Sequence, residues 1–263
     1  MLVAMRGLIS VAGYVPHHRL RRDRIAEVVG GSPGRGARAV ASYDEDATTM
    51  AVAAGRRTLA TTAVAPSTVW FATASPPYLD RTNATAVHAA LQLDGAVPAM
   101  DVAGSARAGT GAVLAALRST DPVLVVAADV RTGRPRSGDE SACGDGAAAA
   151  LLGSDADGPL LAEVLGTATA TEEFVERWRV PGDAHSRTWE ERFGETRYVP
   201  LATDAAKRAC AAAGIGLDDV DVVSITGLHG RAVAKAARAL QAGDRLADDL
   251  TATVGATGTP HAL

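Results

Sequence analysis

Buried strands alternate with amphipathic helices along the first half of this chain, and part of that order returns in the second half. These two observations predict an α/β protein with a largely parallel sheet, helices on both faces and two similar halves. A third observation is length. The 263 residues suffice for one large domain or two modest ones with a sizeable core.

The elements follow in order. GLISVAGYVP (7–16) predicts a strand. DEDATTMAVAAGRRTLA (44–60) predicts a helix that opens on acids, as the helix dipole favours, and closes on Arg56 and Arg57. STVWFATA (67–74) is a buried strand, and NATAVHAALQL (83–93) a helix with Asn83 as its expected N-cap. AVPAMDVA (96–103) is a strand, ARAGTGAVLAALRS (106–119) a helix and PVLVVAADV (122–130) a buried strand. RTGRPRSGDES (131–141) is a polar loop, and GDGAAAALLGS (144–154) a short apolar strand after a glycine turn.

In the second half, GPLLAEVLGTATA (158–170) predicts a strand and 172–198 an irregular insert. ATDAAKRACAAAGI (202–215) is a helix closed by Gly214. VDVVSIT (220–226), GRAVAKAARAL (230–240) and DLTATVG (249–255) predict strand, helix, strand. The halves divide as 1–155 and 156–263. By analogy with the first half, one helix and two strands should follow ATGTPHAL (256–263). The second half is therefore expected to be incomplete, as a piece of a longer product or with another chain over its open edge.

Composition narrows the function classes. At 47% hydrophobic and 21% charged, the chain reads as an ordinary globular protein. Its net charge of −4 gives no overall basic field for nucleic acid or an anionic membrane. Arginine greatly outnumbers lysine, which is confined to Lys207 and Lys235. Cys143 and Cys210 lie far apart and fit neither a metal spacing nor a disulfide framework, so a reducing cytoplasm is the expected compartment. MLVAMRGLISVAGYVP lacks the basic-then-apolar plan of a signal peptide, and no run reaches transmembrane length. No Walker loop occurs, and GGSPGRG (30–36) has neither the spacing nor the preceding strand of a dinucleotide site.

Seven stretches then point in one direction. YDEDATTMAVAAGRRTL, FATASPPYLDRTNAT, DVAGSARAGTGA, ERWR, RFGETRY, VDVVSITGLHGRAVAKAA and TVGATGTPHAL occur in this order. Together they resemble the thiolase superfamily, in its HMG-CoA-synthase and ketoacyl-synthase-III branch, over nearly the whole chain. The resemblance implies a thiolase-like five-layer α/β/α/β/α architecture of two pseudo-repeated halves. It also implies chemistry on acyl-CoA thioesters by a cysteine at a helix N-terminus, a histidine on the thioester oxygen and a glutamate or its substitute for proton transfer.

At the positions matching those groups this chain has other residues. Ala106 stands for the cysteine, Ala74 for the glutamate, Thr226 for the histidine and Ala256 for the asparagine of the family's vGNtG turn. The turns remain while the reacting groups are replaced.

The remaining candidates each have a plainer reading. Ser105 is a relocated nucleophile if a base lies beside it, and otherwise a small residue capping the following helix. His229 and His261 are relocated acid–base groups or surface loop residues. Tyr78 is a phenolic acid or packing beside Pro76 and Pro77. Arg107, Arg131 and Arg134, with Arg136, are contacts for CoA phosphates or solvated side chains. Cys143 precedes a strand and reads as small-residue packing, and Asp145 as a turn residue.

The resemblance implies no required cofactor, with acyl-CoA as ligand or substrate. It implies a homodimer, or a hetero-complex with an OB-fold and zinc-ribbon protein or another thiolase-like chain, with neither nucleic acid nor membrane. Three functions are open: a non-catalytic subunit, a non-covalent C–C lyase, and an acyltransferase with a shifted nucleophile.

Overall fold

The computed structural model describes residues 4–31 and 34–263. Ser32 and Pro33, within the glycine-rich stretch 30–36, and the first three residues lie outside the described residues. Two compact units form. One comprises Met1–Arg131, Ser141–Val164 and Thr251–Leu263, the other Thr132–Glu140 and Leu165–Leu250. The division is not the single cut at 155/156: the last thirteen residues belong to the first unit.

The first unit opens with β1 (Arg6–Tyr14), β2 (His18–Arg21), α1 (Arg22–Val29) and β3 (Ala37–Val40). It continues through α2 (Ala47–Leu59), β4 (Thr68–Thr73), α3 (Ala84–Ala90), β5 (Ala99–Ala103), α4 (Ala108–Ala116) and β6 (Val123–Asp129). After the short α5 (Gly138–Ala142) come β7 (Gly146–Ser154) and β8 (Ala162–Glu163). Six strands make one sheet in the order β5-β4-β6-β7-β1-β8. β4 runs parallel to β5 and β6, whereas β7 is antiparallel to β6 and β1, so the sheet is mixed rather than largely parallel.

Every residue of β6 and β7 is buried, which explains why both read as continuous apolar runs. On one face Met50, Ala51 and Ala54 of α2 pack against Phe71, Leu124 and Leu151; on the other Ala108, Ala112 and Ala116 of α4 pack against Val123, Val125 and Leu152. The alanine-rich helices sit close on the sheet because a methyl is all that separates backbone from strand.

α2 begins as its acids imply: Asp46 is the N-cap and forms a reciprocal capping box with Thr49. Asn83 stands at the N-cap position of α3 as expected, but its side chain does not do the capping. It is buried and donates to the Tyr78 and Arg81 carbonyls. Asp101 of β5 caps α3 instead, accepting from the N–H groups of Asn83 (2.7 Å) and Ala84 (2.6 Å). A tertiary carboxylate takes the place of a local amide, since both satisfy the same unpaired donors.

The second unit holds a two-stranded ribbon of β9 (Arg177–Trp178) and β10 (Arg187–Thr188), then α6 (Glu191–Ala213) and α7 (Gly230–Ala239). The irregular insert therefore contains this ribbon and the first turns of α6. Gly214 closes α6 in the left-handed conformation, as its position implies. The three strands expected in this half do not form a sheet among the described residues. The stretch 158–170 contributes only β8, 220–226 a single bridge from Val223 to Leu246, and 249–255 is mostly turn. Only β8 finds a ladder partner, β1, and the other two stretches make isolated backbone bonds, too few to sustain a strand.

Candidate functional site

The parallel strands end together. β4 lies between β5 and β6, and the connections from β4 and β6 leave in opposite directions. A crevice at the carboxyl ends is the consequence, the usual ligand position in such sheets. Thr73, Ala74 and Ser75 leave β4, Gly104 to Arg107 leave β5, and Asp129 closes β6.

Asp129 organises this end and was missed in the sequence, where a single acid closing the buried run PVLVVAAD was its only signal. It is fully buried. One oxygen accepts from Thr73 Oγ1 (3.0 Å), the Ala74 N–H (2.7 Å) and Ser75 Oγ (3.1 Å), and the other from the Thr259 N–H (2.8 Å). Ser75 Oγ in turn accepts from the Val130 N–H at 2.9 Å. A side chain at Gly258 (φ 82°) would strike the Asp129 carboxylate, and one at Gly109 of α4 would strike the Thr259 carbonyl. The segment 256–263, including the 3-10 turn Thr259–Ala262, is thereby fastened over the strand ends.

The β5–α4 elbow is built on Gly104, whose φ of 117° suits glycine. Ser105 Oγ accepts from the Arg107 N–H (3.3 Å) and the Ser105 carbonyl from the Ala108 N–H (2.9 Å). The serine hydroxyl thus accepts within the turn, while the N-cap of α4 is Arg107 and no side chain caps that helix. Ala106 is half-buried at the turn. With the Ala108 N–H already engaged, the rest of the first turn of α4 still presents the positive end of the helix dipole.

The other positions divide between the units. Ala256 is buried in the first unit and bridges Cys143, with Ala256 N–H to the Ala142 carbonyl at 2.8 Å and Gly144 N–H to the Ala256 carbonyl at 3.1 Å. Cys143 is accordingly a packing residue. His261 belongs to the same unit, its Nδ1 3.3 Å from Thr257 Oγ1. Tyr78 is 54% exposed and stacks under the Arg81 guanidinium, 5.2 Å from its ring centre. Thr226 and His229 belong to the second unit. His229 is the N-cap of α7: its Nδ1 accepts from the Ala232 N–H at 3.1 Å.

Among the arginines, Arg107 and Arg134 are exposed and Arg131 is half-buried. The Arg131 main chain serves the fold. Its N–H donates to Asp145 (2.7 Å) and its carbonyl accepts from Arg38 at 2.5 Å. Asp145 is more than a turn residue. It is buried, pairs with the buried Arg38 at 3.4 Å and accepts from the Ala41 N–H at 2.8 Å. Burial pushes its carboxyl above the usual range, although these donors oppose the shift. Among the described residues, no group of three histidines, cysteines or carboxylates could hold a metal ion.

No protein-family model matches the chain. Its relatives include the hydroxymethylglutaryl-CoA synthase of Thermoplasma volcanium, 26% identical over 251 residues, which covers 90% of this chain and 71% of the relative. The enzyme of that name from Methanothermobacter thermautotrophicus is 28% identical over 251 residues, covering 90% and 72%. Among solved structures, 3-oxoacyl-(acyl carrier protein) synthase III of Pseudomonas aeruginosa matches 98% of this chain and 87% of its own with a TM-score of 0.82 at 20% identity. An HMG-CoA synthase complexed with CoA matches 97% and 72% with a TM-score of 0.80 at 18% identity. The fold is therefore thiolase-like.

Proposed function

We propose that this chain, a thiolase-like protein of the HMG-CoA-synthase and ketoacyl-synthase-III branch, binds acyl-CoA at the carboxyl ends of β4, β5 and β6 without forming an acyl-enzyme. The carrying observation is the elbow. Its glycine turn and the helix N-terminus behind it are intact, while Ala106 stands at the nucleophile position. A methyl cannot attack a thioester, but the N–H groups of α4 can still hold a thioester oxygen. Ser105 does not replace the cysteine in this reading, because its hydroxyl accepts from the Arg107 N–H and, among the described residues, no base is hydrogen-bonded to it.

The chain then acts as a non-catalytic or altered-chemistry subunit of an acyl-transfer complex in the cytoplasm. No helix among the described residues is long and apolar enough to cross a membrane. β5 is the edge of the sheet and exposes Met100. A second copy or another thiolase-like chain pairing there would satisfy its free ladder groups.

Intact-protein mass after mixing the chain with a panel of acyl-CoA thioesters tests the reading, together with calorimetric titration of the same thioesters. Saturable binding with no mass increase is expected. An adduct mapped to Ser105 or Cys143 would replace it with acyltransfer by a relocated nucleophile.

A further inference from the structure

The second unit leaves a strand edge open. The stretch 221–226 has the burial period of a strand: Val222 and Ser224 are exposed, Val223 and Ile225 half-buried. Val223 forms a parallel bridge to Leu246. Its N–H donates to the Arg245 carbonyl (2.8 Å), and its carbonyl accepts from the Ala247 N–H (2.9 Å). In an extended chain successive residues aim their backbone groups to opposite sides. Val222 and Ser224 therefore face away from 245–247. Their N–H and carbonyl groups have no hydrogen-bond partner among the described residues. Val222 is also 66% exposed, so its side chain offers apolar contact beside the unpaired groups.

Charge selects what can pair there. The segments 217–224 and 243–250 carry six aspartates, Asp218, Asp219, Asp221, Asp244, Asp248 and Asp249, against one cation, Arg245. All but Asp249 are exposed acids. Arg245 is spent on the fold, its guanidinium donating to the carbonyls of Leu217, Val220 and Gln241. A second copy pairing edge to edge would bring the same acids together, which like charges disfavour. A basic strand meets opposite charge instead.

We propose that 221–226 is a docking edge for a basic, extended segment of a partner protein, added as a β-strand beside Val222 and Ser224. Main-chain bonds supply the affinity, and the aspartates set the choice of partner. The edge lies wholly in the second unit and shares no residue with the elbow or with β5.

Titration of the full chain with a capped hexapeptide alternating lysine and valine tests the edge, read by calorimetry and amide hydrogen exchange. Saturable binding that slows exchange at Val222 and Ser224 and weakens with added salt is expected. The hexapeptide alternating glutamate and valine should not bind. Ser224→Pro removes the outward N–H and should weaken the lysine peptide about tenfold. Ser224→Ala keeps that N–H and should bind as the parent does. Asp218→Lys combined with Asp221→Lys should admit the glutamate peptide, a gain that damage to the fold does not produce. Failure of the lysine peptide to bind, equal binding of the two peptides by the parent, or undiminished binding by Ser224→Pro overturns the proposal. So does protection of these two amides in the chain alone that disappears on dilution, which assigns the edge to a second copy. The thioester titration reads the elbow separately, since it uses no residue of this edge.

Discussion

The two compact units are held by different forces. The first is a sheet whose central strands β6 and β7 are buried along their whole length, with Phe71, Met50, Leu124 and Leu151 among its largest fully buried side chains. The second rests on two helices whose buried residues are mainly small, Ala232, Ala236 and Ala237 of α7, and on polar contacts. Lys235 pairs with Glu195, Arg197 with Glu172 and Arg177 with Asp139, beside an edge-on trio of Phe174, Phe193 and Tyr198. Buried apolar area stabilises roughly in proportion to its extent, whereas a pair near the surface contributes about 0–1 kcal/mol. The elbow and the Asp129 cluster are thus mounted on the unit with the larger buried apolar core. That is where a pre-organised site belongs.

Four substitutions or titrations bear on this contrast. Asp129→Ala leaves the donors of Ala74, Thr259 and Thr73 unpaired in the interior and should cost about 3–5 kcal/mol. A chemical denaturation midpoint equal to that of the parent would mean that the cluster does not hold the strand ends. Leu151→Ala opens a cavity between β7 and α2 and should cost about 3 kcal/mol; a loss under 1 kcal/mol would erase the difference between the units.

Asp145 gives a pH signature. Its folded carboxyl titrates above its unfolded value, so the native state holds that proton more tightly. Its contribution to stability is complete below the unfolded value of about 3.9 and is lost as pH rises through the folded one. Denaturation followed across that window should show Asp145→Asn abolishing this component; an unchanged profile would refute it. Smallest is Arg177→Ala in the second unit, expected at about 0.5–1 kcal/mol because its pair is partly exposed. A loss equal to that of Leu151→Ala would overturn the contrast from the other side.

The strands at 67–74, 122–130 and 144–154 were legible because burial on both faces demands uninterrupted apolar residues. The helix after Asp46 was legible because its cap is local. Asn83 misled for the opposite reason. The residue type fits a cap, but the cap came from Asp101, eighteen positions away in sequence. The pair β2 and β3 escaped notice because HRLR and ARAV carry no apolar period. Of the strands expected in the second half only β8 found a ladder partner.

Residue order alone carried much of the alternation of strand and helix and the thiolase-like fold, and it set Ala74, Ala106, Thr226 and Ala256 where the resemblance expects reacting groups. Those features depend on residue type and local period, which a single chain carries in its order. Tertiary contacts decided the mixed direction of the sheet, the tying of residues 251–263 into the first unit and the gathering of four donors on Asp129. Each of these joins groups far apart along the chain. Their energy arises from burial and hydrogen-bond geometry that exist only once the backbone has closed around them.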